Sequence, residues 1–198
     1  MNRRESTRVL LVLGAAVPVF ADAQLNPFTI LGKAVSTAMD VRTKGEVATD
    51  AEIGARASKR LLDDKRAEWS GVTVLVFQQH VVLAGAVKTG EVKKRVEEVV
   101  RSDKRVRSLR NELLTGDAGN LARDTALEAE INAALTAVSG VSSVNMRWCA
   151  TGGQVVLMGV ARSGEEAALA QSKVRGIRGI RSLKSHLRIV PGKKSERR

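Results

Sequence analysis

An internal repeat constrains this chain more than any other feature of its sequence. Residues 81–91 read VVLAGAVKTGE, and residues 155–165, which lie 74 positions later, read VVLMGVARSGE. The same spacing aligns VRSLRNEL at 106–113 with IRSLKSHL at 180–187. Two matches at one spacing and in the same order indicate a tandem of two similar modules. Because two copies are too few for a solenoid, we expect each module to have its own small core.

The hydrophobic pattern of the first module, residues 49–114, predicts the order helix, strand, strand, helix, strand. Thr49-x-x-Glu52 has the form of a capping box and should open a helix that ends near Asp64. β-branched residues predict a hairpin, valines at helical spacing predict the second helix, and a last strand follows. The hairpin strands are expected at 72–77 and 81–87, the second helix at 92–100, and the last strand at 106–114.

The second module, residues 124–190, repeats this order. Thr125-x-x-Glu128 is the matching capping box. We expect the hairpin strands at 144–150 and 154–161, the second helix at 163–177, and the last strand at 180–190. The predicted fold class is α+β: two tandem α-β-β-α-β modules, each a three-stranded mixed sheet with two helices on one face. A polar linker at 115–123 joins the modules, and a basic tail occupies 191–198.

The two hairpins differ in their turn residues. Gly152-Gly153 suits a tight turn that needs positive φ, whereas the equivalent Gln78-Gln79 does not, so we expect the first turn to be wider or strained. Gly85 and Gly159 lie at matching places inside strands. Such glycines mark a bulge or a close backbone approach, here by a neighbouring helix, in preference to a ligand contact.

Residues 1–23 have the order of a secretory signal peptide. A segment with three arginines precedes an apolar run at 9–20, and Ala21-Asp22-Ala23 is an A-x-A cleavage site. The apolar run is too short to span a bilayer. Gln24, rather than a cysteine, follows the cleavage site, so no lipid anchor is expected. Cleavage would remove three arginines and two acidic residues, so the mature chain would carry a net charge of +11 and begin with a leader at 24–48. We predict that this mature chain is periplasmic and either soluble or peripherally associated with a membrane.

The repeated motifs resemble those of the BON (bacterial OsmY and nodulation) domain. That family has a V-x-V…G-x-V-x-L-x-G hairpin and then, after a helix, G-V-x-x-V-x-N-x-L. The hairpin motif is matched twice, by Val72, Val74, Val81, Leu83 and Gly85 and by Gly153, Val155, Leu157 and Gly159. The strand motif is matched by Val106, Leu109, Asn111 and Leu113 and, with Ser185 in place of the asparagine, by Ile180, Leu183 and Leu187.

The resemblance covers roughly residues 49–190, and residues 40–45 (DVRTKG) are similar to the leader of dual-BON outer-membrane proteins that maintain the Gram-negative envelope. It implies a non-enzymatic periplasmic protein associated with phospholipid binding, osmotic stress and outer-membrane integrity. The partner implied is an anionic phospholipid surface, with an envelope protein as a further candidate.

The composition offers little material for chemistry. The single Cys excludes an intramolecular disulfide framework and a thiolate zinc cage. The two histidines belong to no set with metal-ligand spacing, and no acidic cluster is present. We therefore predict no catalytic residue, no cofactor and no metal site.

The net charge of +12 points to anionic partners. On the basic helix of the first module, charges of both signs at i, i+4 spacing favour a solvated face of ion pairs over a binding surface. The stretch that follows has only Asp103 to oppose its cations, and is the better candidate for contact with anionic lipid. Its candidate residues are Arg101, Lys104, Arg105, Arg107 and Arg110.

The alternation of the first hairpin predicts an apolar sheet face that the two helices leave uncovered. Its residues are Leu75, Phe77, Val82 and Ala84. An exposed apolar patch often marks an interface. Packing against the other module or the leader is the first interpretation, and a separate partner or a lipid chain is the second. The same face would serve a periplasmic chaperone or adaptor, which the sequence does not separate from a lipid-binding protein.

Nucleic-acid binding is the remaining hypothesis. Gly176-Ile-Arg-Gly179 has the G-x-x-G form of a KH-type RNA clamp. The repeat places it between a helix and a strand, where glycine is expected as a helix stop. Export would also separate the chain from nucleic acid, so we expect no nucleic-acid partner.

Overall fold

The computed structural model describes residues 40–65 and 69–190, with the side chain of Trp69 outside the description. The predicted signal peptide (1–23), the leader up to residue 39 and the basic tail (191–198) therefore lie outside the described residues. Within the described part, no helix combines the length and the apolar character that crossing a bilayer requires.

The first module has two helices and one mixed sheet. In chain order its elements are α1 (Lys44–Asp63), β1 (Val72–Phe77), β2 (His80–Val87), α2 (Gly90–Arg101), β3 (Ser108–Asn111) and β4 (Leu114–Thr115). Strand β2 is central: it pairs antiparallel with β1 and parallel with β3 and β4. This arrangement follows from the predicted order, because a hairpin makes antiparallel neighbours and a helical crossover returns a parallel strand.

The second module repeats the arrangement with three strands. Its elements are α3 (Leu121–Ala137), β5 (Met146–Thr151), β6 (Gln154–Ala161), α4 (Gly164–Arg175) and β7 (Ser182–Ile189). Strand β6 is central, antiparallel to β5 and parallel to β7. The α+β class is confirmed, and the predicted three-stranded sheet is found in this module.

In the first module the prediction of three strands was wrong, because the last strand is broken in two. Strands β3 and β4 keep one register, with His80 opposite Ser108 and Ala86 opposite Leu114. Between them the side chain of Asn111 accepts a hydrogen bond from the amide of Leu113 at 3.3 Å, which takes that amide out of the ladder. Ser185 occupies the equivalent position in the unbroken β7.

Each module has a core between its two helices and one face of its sheet. In the first module, side chains of α1 and α2 pack on alternate residues of the strands. The helices contribute Ile53, Ala57, Leu61, Val96, Val99 and Val100, and the strands contribute Val72, Val74, Val76, Val81, Leu83 and Leu109. In the second, α3 and α4 do the same through Leu127, Ile131, Leu135, Ala167, Ala170 and Val174. Both helices therefore cover the same face of each sheet.

The faces turned away from the helices pack against each other and join the modules. One buried cluster contains Leu75, Phe77, Val82 and Ala84 of the first sheet with Cys149, Val156, Met158 and Val160 of the second. Three of these pairs are equivalent positions of the repeat, 75 with 149, 82 with 156 and 84 with 158. The two sheets thus lie inside and the four helices outside, and we call this contact the inter-module interface.

The predicted capping boxes were the wrong ones. Helix α1 starts after Thr43, whose side chain accepts a hydrogen bond from the amide of Glu46 while the Glu46 carboxylate accepts one from the amide of Thr43. Thr49 lies inside the helix and donates to the carbonyl of Gly45 at 2.9 Å. Helix α3 likewise begins earlier than expected, after an N-cap at Asn120.

The first hairpin turn is strained but not wider than the second. Gln78 and Gln79 form a two-residue turn with φ of 50° and 65°, close to the 56° and 83° of Gly152 and Gly153. Non-glycine residues rarely adopt this left-handed conformation, so the strain predicted for this turn is present and the extra width is not.

The strand glycines mark a close backbone approach, although not by an α-helix. A Cβ atom on Gly159 would lie 2.0 Å from the carbonyl oxygen of Asn145, and one on Gly85 would lie 1.9 Å from that of Gly71. Each approaching carbonyl belongs to the 3-10 turn that precedes the first strand of its module.

Replacing Gly159 with alanine should therefore lower the free energy of unfolding by about 1–3 kcal/mol, because φ is +128° there and the new methyl group meets backbone. Urea unfolding measures the loss. Gly164→Ala is the control, since nothing lies within 4 Å of a Cβ atom at Gly164. A Gly159→Ala variant as stable as the control would contradict this account.

Candidate lipid-contact surface and inter-module contacts

The basic stretch after α2 is less free of ion pairs than the sequence suggested. Arg101 pairs with Glu97 at 2.6 Å. Arg105 contacts Asp103 at 3.1 Å and reaches Glu52 of α1 at 2.6 Å. The expectation that only Asp103 opposes this stretch was wrong, because carboxylates of α1 and α2 fold back onto it.

Three cations of the stretch remain available to a ligand. Lys104, Arg107 and Arg110 are exposed, and no ion pair among the described residues involves them. Lys104 and Arg107 lie in the connection between α2 and β3, and Arg110 lies on β3 itself. We call these three residues the basic edge, because β3 is an outer strand of its sheet.

Two more cations of α2, Lys93 and Arg95, are engaged within the first module. Arg95 binds Asp64 at the end of α1 and also Glu98. The ammonium group of Lys93 donates to the carbonyl of Leu113 at 2.6 Å. These contacts connect α2 to α1 and to the broken last strand. They agree with the prediction that this helix presents a face of ion pairs rather than a binding surface.

The four residues predicted as an open apolar face lie in the inter-module interface. Phe77 has no exposed surface, and Leu75, Val82 and Ala84 are also buried. The second module covers this face, so it offers no open surface to a lipid chain or to an unfolded client in this arrangement of the modules.

A buried polar cluster at one border of the interface escaped the sequence analysis. Arg42 lies just before α1 and binds Asp40 at 2.7 Å and Asp50 at 3.1 Å. Its guanidinium carbon lies 4.3 Å from the centre of the Phe77 ring, and that of Arg147 from the second module lies 5.6 Å away. A buried arginine needs such partners. The carboxylate at residue 50 was the feature of the sequence that could have indicated this cluster.

The charges in this cluster balance one another. Burial alone would raise the pKa of Asp40, but the hydrogen bonds and charge of Arg42 more than offset it and hold that pKa below its ordinary value. Burial and the neighbouring charge of Arg42 lower the pKa of Arg147. The amide of Val41 also donates to the side chain of Asn145 at 3.0 Å, so the segment before α1 connects both modules.

Asp50 has a second role, at the strained turn. Its carboxylate accepts hydrogen bonds from the amides of Gln78 at 2.8 Å and Gln79 at 2.7 Å. The equivalent Asp124 accepts one from Gly152 at 2.9 Å. Each module thus uses an aspartate of its first helix to hold its hairpin turn.

Polar contacts also cross the border formed by the turns and the last strands. Arg188 of β7 donates to the side chain of Gln78 at 2.6 Å, and Gln154 donates to the carbonyl of Glu112 at 3.1 Å. The Glu112 carboxylate and Nε2 of His186 lie 3.0 Å apart. Positions 112 and 186 are equivalent in the repeat, so the modules meet with an approximate twofold relation.

The G-x-x-G motif, the single cysteine and Trp148 have structural roles. Gly176 caps the end of α4, and Gly179 follows with φ of +96°, which fits the helix-stop interpretation of G-x-x-G. Trp148 packs in the helix-facing core. Cys149 is buried in the interface, where burial and the charge of Glu128 raise the pKa of its thiol to about 11.

The duplicated architecture agrees with the comparison to known families. The family model described as BON domain matches residues 49–117 and again residues 123–191. This chain belongs to the BON-domain family. The resemblance predicted from the repeated motifs is thereby confirmed, and two BON domains in tandem account for both modules.

Two curated relatives of this BON protein extend over both modules. An uncharacterized protein in the gshII 5′ region of Anaplasma centrale is 28% identical over 148 residues, which cover 73% of this chain and 97% of that protein. Osmotically-inducible protein Y of Escherichia coli (strain K12) is 28% identical over 149 residues, or 73% of this chain and 74% of that protein.

Among solved structures, two of CdsD, a structural protein of the type III secretion system of Chlamydia trachomatis, align with the BON pair. They are 16% and 18% identical, cover 72% and 73% of this chain and 65% and 67% of those chains, and have TM-scores of 0.31 and 0.30. At those TM-scores they add nothing to the assignment.

Proposed function

We propose that this BON protein is a non-enzymatic, exported protein of the bacterial envelope that contacts anionic phospholipid surfaces. The similarity to Osmotically-inducible protein Y supports a role in osmotic and envelope stress. The N-terminal sequence supports a periplasmic location, and the mature charge of +11 supports an anionic partner. The protein would then be soluble or peripherally associated with the membrane rather than lipid-anchored.

The basic edge is the observation that carries this proposal. Lys104, Arg107 and Arg110 are exposed and unpaired among the described residues, whereas Arg101 and Arg105 of the same stretch are held by carboxylates. Lys and Arg near an anionic membrane surface contribute about 1 kcal/mol each. Three such residues give binding that is weak, reversible and sensitive to salt.

The rival role, a periplasmic chaperone or adaptor, loses the surface on which it was based. The apolar sheet face of the first module is buried against the second. A client would have to separate the modules or use another surface. The lipid role needs no such rearrangement, because the basic edge is already exposed.

Neutralising the basic edge should weaken membrane binding on the order of 100-fold, since three contributions of about 1 kcal/mol are lost. The test is co-sedimentation of the mature protein with phosphatidylglycerol vesicles, compared with a variant carrying Lys104→Gln, Arg107→Gln and Arg110→Gln. Phosphatidylcholine vesicles should bind neither protein, and added salt should reduce binding of the unsubstituted one.

The matched control carries Arg123→Gln, Lys173→Gln and Arg178→Gln, which remove the same charge from exposed positions of the second module. It should keep most of the binding. Equal losses in both variants would mean that net charge alone is responsible. If the unsubstituted protein binds neither type of vesicle, the lipid role fails, and protection of an unfolding periplasmic client from aggregation becomes the next measurement.

A further inference from the structure

We propose that the junction of the two modules carries a binding site for a phosphate group, formed by Arg107, Arg188 and His80. The inference deepens the proposed function and rests on it for the choice of ligand. It adds residues from the second module and a defined ligand group to what the basic edge alone would provide.

Contacts at the strained turn between β1 and β2 bring the three residues to one place from separate parts of the chain, Arg107 through its backbone and Arg188 through its side chain. The amide of Arg107 donates to the carbonyl of Gln79 at 2.9 Å. The guanidinium of Arg188, from β7 of the second module, donates to the side chain of Gln78 at 2.6 Å. His80 follows the turn directly, and its Nδ1 lies 2.6 Å from Oγ of Ser108.

The groups that face His80 leave the junction positively charged. They are Arg188 from β7, Arg107 from the segment before β3, and Asp50 from α1. The carboxylate of Asp50 is already bound by two turn amides and by Arg42. The half-buried Arg188 and the exposed Arg107 therefore both lie near His80, and neither forms an ion pair with a carboxylate among the described residues.

The directions of the pKa shifts agree with an excess of positive charge at the junction. Burial, followed by the charges of Arg188 and Arg107, lowers the pKa of His80, and Asp50 only partly opposes them. Burial and the charge of Arg107 also lower the pKa of Arg188. An anion bound between these groups would reverse the effect by favouring their protonated forms.

A phosphate group suits this set of donors. Guanidinium groups bind phosphate oxygens with two parallel hydrogen bonds, and two arginines can hold separate oxygens of one group. Because Nδ1 of His80 is engaged with Ser108, its Nε2 is the nitrogen left for the ligand. Inorganic phosphate and the phosphate of a phospholipid headgroup share this chemistry, and the experiment separates these two sources.

The two histidines of the chain provide an internal control. The test is a pH titration of the imidazole Hε1 resonances of the untagged mature protein by NMR, in chloride and in inorganic phosphate of equal ionic strength. We expect phosphate to raise the titration midpoint of His80 by about one pH unit. The Hε1 resonance of His186, which lies against Glu112 at the interface, is the reference for any effect of the buffer that is not specific to the junction.

A variant distinguishes ligand binding from a structural role. In Arg188→Gln, the midpoint of His80 should rise in chloride, because a repelling charge is lost, and phosphate should no longer change it. Lys184→Gln, an exposed position on the same strand, should behave like the unsubstituted protein. A purely structural role for Arg188 would change stability without removing the response to phosphate.

The outcomes separate this site from the proposed function. A response of His80 to inorganic phosphate supports the site, and a response only to phosphatidylglycerol bicelles, not to phosphatidylcholine bicelles, supports a headgroup as its source. Equal shifts of both histidines, or no shift with either ligand, overturn the site. In that case vesicle co-sedimentation of the same protein still reports on membrane binding by the basic edge.

Discussion

Replacing Asp50 with alanine should lower the free energy of unfolding by about 3–5 kcal/mol, the range found when one partner of a buried ion pair is removed. The Arg42 guanidinium would keep Asp40 but lose its second carboxylate, in a place where its side chain is only 4% exposed. The amides of Gln78 and Gln79 would lose their acceptor at the same time. Urea unfolding of the two-module chain measures the effect.

The duplication supplies the matched control. Asp124 is the equivalent residue of the second module, and it accepts hydrogen bonds from the amides of Asn120 and Gly152 at 2.9 Å each. No arginine pairs with it among the described residues, and its turn consists of glycines. Asp124→Ala should therefore cost only about 1–2 kcal/mol, the typical loss for a missing cap. Equal losses at the two positions would refute the special role of Arg42.

A second-site change tests the strain at the turn separately. Glycine adopts positive φ without steric cost. Gln78→Gly with Gln79→Gly should therefore recover part of the stability lost in Asp50→Ala, because the turn would depend less on the carboxylate. No recovery would indicate that the whole loss comes from Arg42, which would have lost one of its two carboxylates.

Local patterns were sufficient to predict the strands of the two hairpins, although not the break in the last strand of the first module. The segment 72–77 is rich in β-branched residues and 154–161 is bounded by a glycine turn, and both were predicted with the bounds that the structure has. Alternation along β1 also separated the helix-facing residues from Leu75 and Phe77. Periodicity is a local property, and it is reliable when one face of a strand is buried.

The start of α1 could not be chosen on local grounds. Thr43-x-x-Glu46 and Thr49-x-x-Glu52 have the same capping form, and the glycine at position 45 favours the later one. The earlier start is consistent with the tertiary contacts. With that start, Asp50 lies inside the helix and contacts the strained turn, and Arg42 lies beside the Phe77 ring. Contacts between residues distant in sequence override propensity in this way.

The sequence motifs could not predict the proposed phosphate site at the junction, for a similar reason. Arg107 was selected because it belongs to a basic stretch, but Arg188 and His80 are isolated in sequence. They come together because the second module turns its sheet face toward the first, which places β7 beside the Gln78 turn. A repeat predicts that two modules exist, and it does not predict which of their faces meet.

Phe77→Ala should have the largest effect at the inter-module interface. The side chain has no exposed surface, and truncation of a buried phenylalanine costs about 3–5 kcal/mol through lost burial and the remaining cavity. It would also remove the ring beneath the guanidinium groups of Arg42 and Arg147. Because these contacts join the modules, we expect the interface to open before the separate cores unfold.

The single cysteine reports on that opening. Cys149 lies in the same cluster as Phe77, and its thiol, with a pKa raised to about 11, should react slowly with an alkylating reagent at pH 8 while the modules are packed. In Phe77→Ala the labelling rate should rise by more than the loss of global stability accounts for. Leu61→Ala, a truncation in the helix-facing core of the first module, should destabilise by about 2–5 kcal/mol and accelerate labelling only through global unfolding. If the labelling rates of both variants follow their unfolding free energies alone, the modules do not separate as units, and the interface must be treated as part of one cooperative core.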